Sequence, residues 1–292
     1  MAQAMAEQRT DGAGAYKRIT VAKSCGAGGA EIGGLDLSQP LDAETVAEIK
    51  RAFLDHCVIV FRGQDLSPER QMAFTRIFGK VEQHPVVRGF EIEGYPEIMV
   101  IEHKAGVFYN GKNDIWHSDV TFSETPPLGS VLHCRAAWEG FSDTMFSNQY
   151  LAYEALSEPL KQMLGGLKAE HDAQLLRRRM NAYAHNNQIS EIPKPAVHPV
   201  VRTHPETGRK ALYVNPIYTT RLLGVSEEES KFLLEFLYQH AVRPDFIYRH
   251  RWRPGDVTMF DNRCLLHYVV PDHPRDMHRL MHRTTASGDR PY

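Results

Sequence analysis

"NDIWHSDVTFSETPP", residues 113–127, places a histidine and an aspartate one residue apart beside Val120, Thr121 and Phe122. Those three neighbours favour extended backbone. On a strand, residues i and i+2 share a face. The stretch 116–122 is therefore predicted to be a strand that aims the His117 imidazole and the Asp119 carboxylate at one point. A polar pair in an otherwise apolar strand needs a reason, and metal ligation is one. An HxD pair alone arises often by chance, so the reading needs a third ligand from elsewhere in the chain.

The 292 residues, 42% hydrophobic and 24% charged, are ordinary for a globular chain, and an all-β unit of this size often forms one domain. A net charge of −2 gives no electrostatic case for nucleic acid or an anionic membrane. Cys25, Cys57, Cys134 and Cys264 lie far apart with no CxxC pair, which fits a reducing cytoplasm better than a disulfide framework. No run of 18 apolar residues is present, so no membrane span is expected. Residues 1–15 lack an apolar core typical of a secretory signal. They read as a disordered tail, with a single domain over 16–292.

Helical spacing appears early. "LDAETVAEIKRAFLDH" (41–56) sets Val46, Ile49 and Phe53 on one side, and "CVIVFRG" (57–63) follows as a buried strand. "LSPERQMAFTRIFG" (66–79) opens a helix with Ser67 as N-cap and Pro68 at its first position. Helices are also expected over 157–167, ending at Gly165-Gly166, and over 226–243, with a Ser226/Glu229 capping box. Short strands fill the remainder: 97–103, 129–138, 143–148, a hairpin over 198–215 turning at Pro205–Gly208, then 256–262 and 279–286. The Gly-rich "CGAGGAEIGG" (25–34) lacks GxGxxG spacing, and reads as a loop entering the first strand. A mainly β chain with flanking helices is a jelly roll rather than an alternating βαβ fold.

A jelly roll brings strands near the C-terminus alongside the middle of the chain, and "FDNRCLLHYVV" offers His267 bracketed by apolar residues. Two histidines and a carboxylate can occupy one face of an octahedral Fe(II), leaving three positions open. Zinc with the same ligands and one water is the chemical rival.

Taken in order, "WHSDVTFSETPP", "HPVVRTHPETGRKAL", "DNRCLLHY" and "RLMHRTT" resemble the TauD/TfdA family of Fe(II)/2-oxoglutarate-dependent dioxygenases, especially its taurine dioxygenase branch. The resemblance covers about residues 17–292 and implies a double-stranded β-helix, a cupin-like jelly roll. It implies Fe(II) held by His117, Asp119 and His267, with 2-oxoglutarate and O2 as cosubstrates. It implies that Arg279 and Thr144 hold the distal carboxylate of 2-oxoglutarate, and a guanidinium suits that task by pairing bidentately. Arg283, at i+4 on the same strand face, also needs an anionic partner if it points inward. The family usually reads Gly-Gly-Asp-Thr before that threonine, where this chain has Phe141-Ser142-Asp143-Thr144.

For the substrate, the resemblance implies that His84, Arg283 and the backbone amide of Val120 meet an anionic group, with Asn113 nearby. The end that receives an ammonium in taurine-type enzymes differs. Val87 stands where they carry tyrosine, and Lys112 where they carry an acid. A family pocket phenylalanine aligns near Arg177 in "LLRRRM" (175–180), although such a run is commonly a solvated helix face. The expected substrate is thus a small organic anion: a taurine-like sulfonate, an alkylsulfonate or an alkyl sulfate, hydroxylated beside its heteroatom with release of succinate and CO2. An aryloxyalkanoate is the alternative within the family. A zinc hydrolase and a non-catalytic jelly-roll binding protein are the alternatives outside it. A homo-oligomer, dimer or tetramer, is expected.

Overall fold

Val58–Phe61, sequence VIVF, is buried at every position because the sheet it joins is covered on both faces. Ile59 and Phe61 pack with Ile49, Phe53 and Phe74 from the helices Ala43–His56 and Pro68–Arg76. Val58 and Val60 point the other way, into a second cluster with Leu132, Phe146, Phe260 and Met281. Period-two alternation thus builds two cores on one strand. Both helices are capped as the sequence indicates: Asp42 accepts from Thr45 N at 2.7 Å, and Ser67 from Arg70 N at 3.3 Å.

The computed structural model describes residues 16–105, 114–183 and 193–292. Lys112, Asn113 and the expected tail over 1–15 lie outside the described residues. The large sheet runs in the order Thr20–Cys25, Gly28–Gly33, Val58–Phe61, Val257–Asp261, Gly129–Ala136, Arg279–Ala286, Tyr95–His103, Glu91–Ile92. Val81–Glu82 also pairs with Arg279–Ala286. Ile247–His250, Thr144–Asn148 and Leu265–Val269 form a smaller antiparallel sheet, and Phe146 and Leu265 join it to the inner core. The expected jelly roll with helices outside it is the observed architecture.

Arg279–Ala286 shows how this frame aims side chains. Its Thr284 faces helix Pro68–Arg76, where the hydroxyls of Thr284 and Thr75 lie 2.6 Å apart and Gln71 Nε2 donates to His282 O at 3.0 Å. Arg279, Met281 and Arg283 point to the opposite face, between the two sheets.

Two expectations need correction. The Gly-rich stretch is no loop: Gly28–Gly33 is a strand, paired antiparallel with Thr20–Cys25. Its glycines allow close approach, since a Cβ on Gly29 would stand 2.7 Å from the Tyr248 ring. The strand expected over 116–122 does not form either. Only His117 pairs, as an isolated bridge with His267. The chain then turns, with Val120 in the left-handed region at φ 56° and Ser123 N donating back to Val120 O at 3.0 Å.

Candidate metal centre and substrate cleft

The bridge does what the strand was expected to do. His117 N donates to His267 O at 3.0 Å and His267 N returns a bond to His117 O at 2.7 Å, which brings the imidazole centroids within 4.1 Å. The turn at Val120 then swings the Asp119 carboxylate towards them. Asp119 Oδ1 lies 3.9 Å from His117 Nε2 and 3.8 Å from His267 Nε2. One ligand atom from each of the three buried residues falls within 4.8 Å of the others, the one such group found among the described residues.

The surroundings prepare each donor. His117 Nδ1 lies 2.8 Å from Ile115 O, which keeps the proton there and leaves the Nε2 lone pair facing inward. Burial pushes the His267 imidazole down to about 3, with His117 adding to the effect, so it too stays neutral. Burial alone would raise the Asp119 carboxyl, but Arg283 and the two histidines hold it well below the usual carboxylate range. Ser130 Oγ donates to Asp119 Oδ2 at 2.9 Å, which leaves Oδ1 turned to the imidazoles. Two neutral imidazoles and an ionised carboxylate on one side fit a divalent iron.

Two cavities adjoin this centre. The first is lined by His117, His267, Leu132, Met281, Thr144, Arg279 and Arg283, among others. Trp252 Nε1 donates to Thr144 Oγ1 at 2.9 Å, so the threonine proton is directed elsewhere and can meet an anion. Arg279 is buried beside it. Ser142, at the family's glycine position, holds a left-handed φ of 51°, which a glycine adopts without a Cβ penalty. Strand Thr144–Asn148 forms regardless. Asp272 Oδ1 accepts from Ser142 N at 2.7 Å and anchors the bend.

The second cavity is lined by His84, Asp119, Val120, Ser123, Arg283 and Thr285, with Glu82 and Thr125. His84 Nδ1 accepts from Val86 N at 3.2 Å and Val87 N at 3.0 Å, so the ring proton sits on Nε2. Arg283 lines both cavities. Val87 is buried in an apolar cluster with Val86, Val120, Phe122, Ile217 and Tyr218. Arg177 is exposed on helix Gln174–Tyr183, while its neighbour Leu176 packs against that cluster. The apolar cluster is therefore reached by Leu176, and Arg177 and Arg178 lie on the solvated face.

A family model described as "Taurine catabolism dioxygenase TauD, TfdA family" matches residues 20–285. The chain belongs to the TauD/TfdA family. It is accordingly a 2-oxoglutarate-dependent non-haem iron dioxygenase using Fe(II), 2-oxoglutarate and O2. An alkylsulfatase of Acinetobacter baylyi is 35% identical over 281 residues, covering 94% of this chain and 86% of that one. An alpha-ketoglutarate-dependent sulfate ester dioxygenase of Pseudomonas putida is 34% identical over 271 residues, covering 90% and 87%. A putative alpha-ketoglutarate-dependent taurine dioxygenase from Burkholderia xenovorans superposes with a TM-score of 0.80 at 36% identity, covering 94% of both chains.

Four supporting residues of this TauD/TfdA site escaped the sequence reading. Ser130 and Trp252 carry no local signal. Ser118 Oγ donates to Asn262 O at 2.7 Å, and Asp119 N donates to Asn262 Oδ1 at 3.3 Å. Asn262, five residues before His267 in "DNRCLLH", was the one within reach of a motif argument.

Proposed function

We propose that the protein hydroxylates an alkyl sulfate, or a closely related alkylsulfonate, at the carbon bearing the heteroatom. The observation that carries this reading is the contrast between the basic groups lining the second cavity and the apolar cluster that meets it at Val120. The cavity offers the Arg283 guanidinium and the His84 Nε2–H; Val120, which also lines it, backs onto an apolar cluster with Val87, Phe122 and Ile217. An ammonium placed against that cluster would be desolvated without a partner, whereas an alkyl chain gains by burial.

Bound iron, with 2-oxoglutarate and O2, supplies the oxidising power. The chain's residues bind and orient. His117, Asp119 and His267 would hold the metal. Arg279 and Thr144 would fix 2-oxoglutarate by its distal carboxylate in the first cavity. Arg283, His84 and the Val120 amide would hold the sulfate oxygens, which sets the adjacent C–H towards the triad. A hydroxyl on that carbon makes a hemiacetal sulfate, whose C–O bond breaks to give an aldehyde and sulfate. The balance is alkyl sulfate, 2-oxoglutarate and O2 in; aldehyde, sulfate with a proton, succinate and CO2 out.

Succinate release from matched alkyl sulfates, alkylsulfonates, taurine and aryloxyacetates tests the reading. Alkyl sulfates are expected to turn over best. Taurine ahead of alkyl sulfates and alkylsulfonates of similar length would overturn it. Aryloxyacetates in first place would assign the cavity to phenoxy acids.

A further inference from the structure

Behind the turn that carries Asp119 lies a group of buried polar side chains with no part in the proposed reaction. His171, His198 and Tyr213 form a triangle of rings with centroids 5.2, 5.9 and 5.8 Å apart. Arg202 stands over the Tyr213 ring at 5.1 Å, and its Nη2 donates to Asp289 Oδ1 at 2.7 Å. All four of His171, His198, Arg202 and Tyr213 are buried. Yet His171 Nε2, His198 Nδ1, Tyr213 Oη, Arg202 Nε and Nη1, and Asp289 Oδ2 meet no partner among the described residues. Arg202 lies near enough to influence the Tyr213 hydroxyl, without hydrogen-bond geometry.

Buried polar atoms are ordinarily satisfied by protein or by ordered water. The types present here decide which. His198 Nε2 stands 2.9 Å from both Thr121 O and Ser123 O, so it carries the ring proton and leaves Nδ1 as an acceptor. Asp289 Oδ2 also accepts, the Arg202 nitrogens only donate, and Tyr213 Oη can do either. A bare ion of either sign would satisfy half of these atoms. Water donates and accepts, and ordinarily makes about three such bonds when buried.

We propose that ordered internal water bonds the unpartnered atoms of this cluster, and that His198 and His171 are positioning residues for the turn bearing Asp119 and Val120. The connection is short. His198 grips the carbonyls of Thr121 and Ser123, while Thr121 Oγ1 lies 2.9 Å from His171 Nδ1 and accepts from Asn215 Nδ2 at 3.1 Å. Thr121 directly follows Val120 and is two residues from the metal-binding carboxylate. Water bonded to the outer nitrogens, His198 Nδ1 and His171 Nε2, holds both rings in place, and with them the bonds that shape the turn.

Two measurements test this, neither of which uses the substrate, so they stand or fall apart from the sulfate-ester reading. In a crystal structure that resolves solvent, ordered water is expected within hydrogen-bond distance of His198 Nδ1 and Arg202 Nη1. No ordered water at these atoms, or side chains rearranged to satisfy one another, would overturn the hydration site. Mn(II) titration of His198→Leu is expected to show roughly 10–100-fold weaker binding, the usual cost of losing a ligand's support. His198→Gln, which keeps a donor at similar reach, is expected to recover most of it. Parent-like Mn(II) affinity in both variants, or no recovery by glutamine, would overturn the positioning role. If His198→Leu does not fold, Thr121→Val removes only the hydroxyl that His171 and Asn215 hold. Unchanged Mn(II) affinity there would overturn the role equally.

Discussion

Arg283 Nη1 stands 3.3 Å from Asp119 Oδ1, so one guanidinium touches the carboxylate of the proposed metal triad while lining both cavities. In the proposed reading it would contact a metal ligand and the substrate anion together. Arg283→Gln is expected to raise the KM for a sulfate ester at least tenfold, since a hydrogen bond to a charged group is worth about 1.5–3 kcal/mol. The 2-oxoglutarate KM should move far less. Steady-state kinetics with each substrate varied in turn checks the split.

Arg279 gives the reverse pattern. It is buried and lines only the first of the two cavities. Arg279→Gln is expected to weaken 2-oxoglutarate binding by about 2–5 kcal/mol, the cost of truncating one partner of a buried charge pair. Equal changes in both KM values would show that the two arginines do not serve separate ligands.

In the proposed centre Ser130 would support the metal through Asp119. Its hydroxyl donates to Oδ2 at 2.9 Å, and the serine is fully buried. Ser130→Ala is expected to lower divalent metal affinity by roughly 10–100-fold while leaving the fold intact. Metal titration followed by circular dichroism would check this; unchanged affinity would remove Ser130 from the centre.

His84 predicts a pH profile. Burial first, and Arg283 second, push its imidazole down from 6.5 to about 3. In the proposed reading it would therefore hold the substrate as a neutral donor. The sulfate-ester KM at saturating iron and 2-oxoglutarate is expected to be flat between about pH 6 and 8. Affinity that rises as pH falls through 6.5 would mean that a protonated His84 binds the anion. For stability the sign is fixed: with a lowered folded pKa, the unfolded chain binds the extra proton between pH 6.5 and about 3. The His84 contribution is then full above that window and lost as pH falls through it. His84→Gln should unfold less steeply with acid there.

His117, Asp119 and His267 form the remaining test. Replacing any one by alanine is expected to cost more than the roughly 100-fold that loss of an outer partner can cost. Near-normal metal affinity in one variant would exclude that residue as a ligand.

The sequence by itself determined what a few neighbouring residues can encode. Ser226 and Glu229 close their capping box at 2.8 and 3.2 Å as their spacing requires. Val58–Phe61 is a strand because four apolar residues alternate between two cores. The HxD pair, His267 and the two C-terminal arginines were legible as motif residues. Tertiary structure alone decided how they meet. Period-two alternation on a strand was the wrong route to Asp119, because Val120 takes a left-handed turn that its β-branched side chain disfavours. That turn is held by groups distant in sequence: Asn262 from 143 residues away and His198 from 77. Local preferences act over a turn of helix or a pair of strand residues. A conformation against preference persists only where packing and buried hydrogen bonds from the rest of the chain over-determine it.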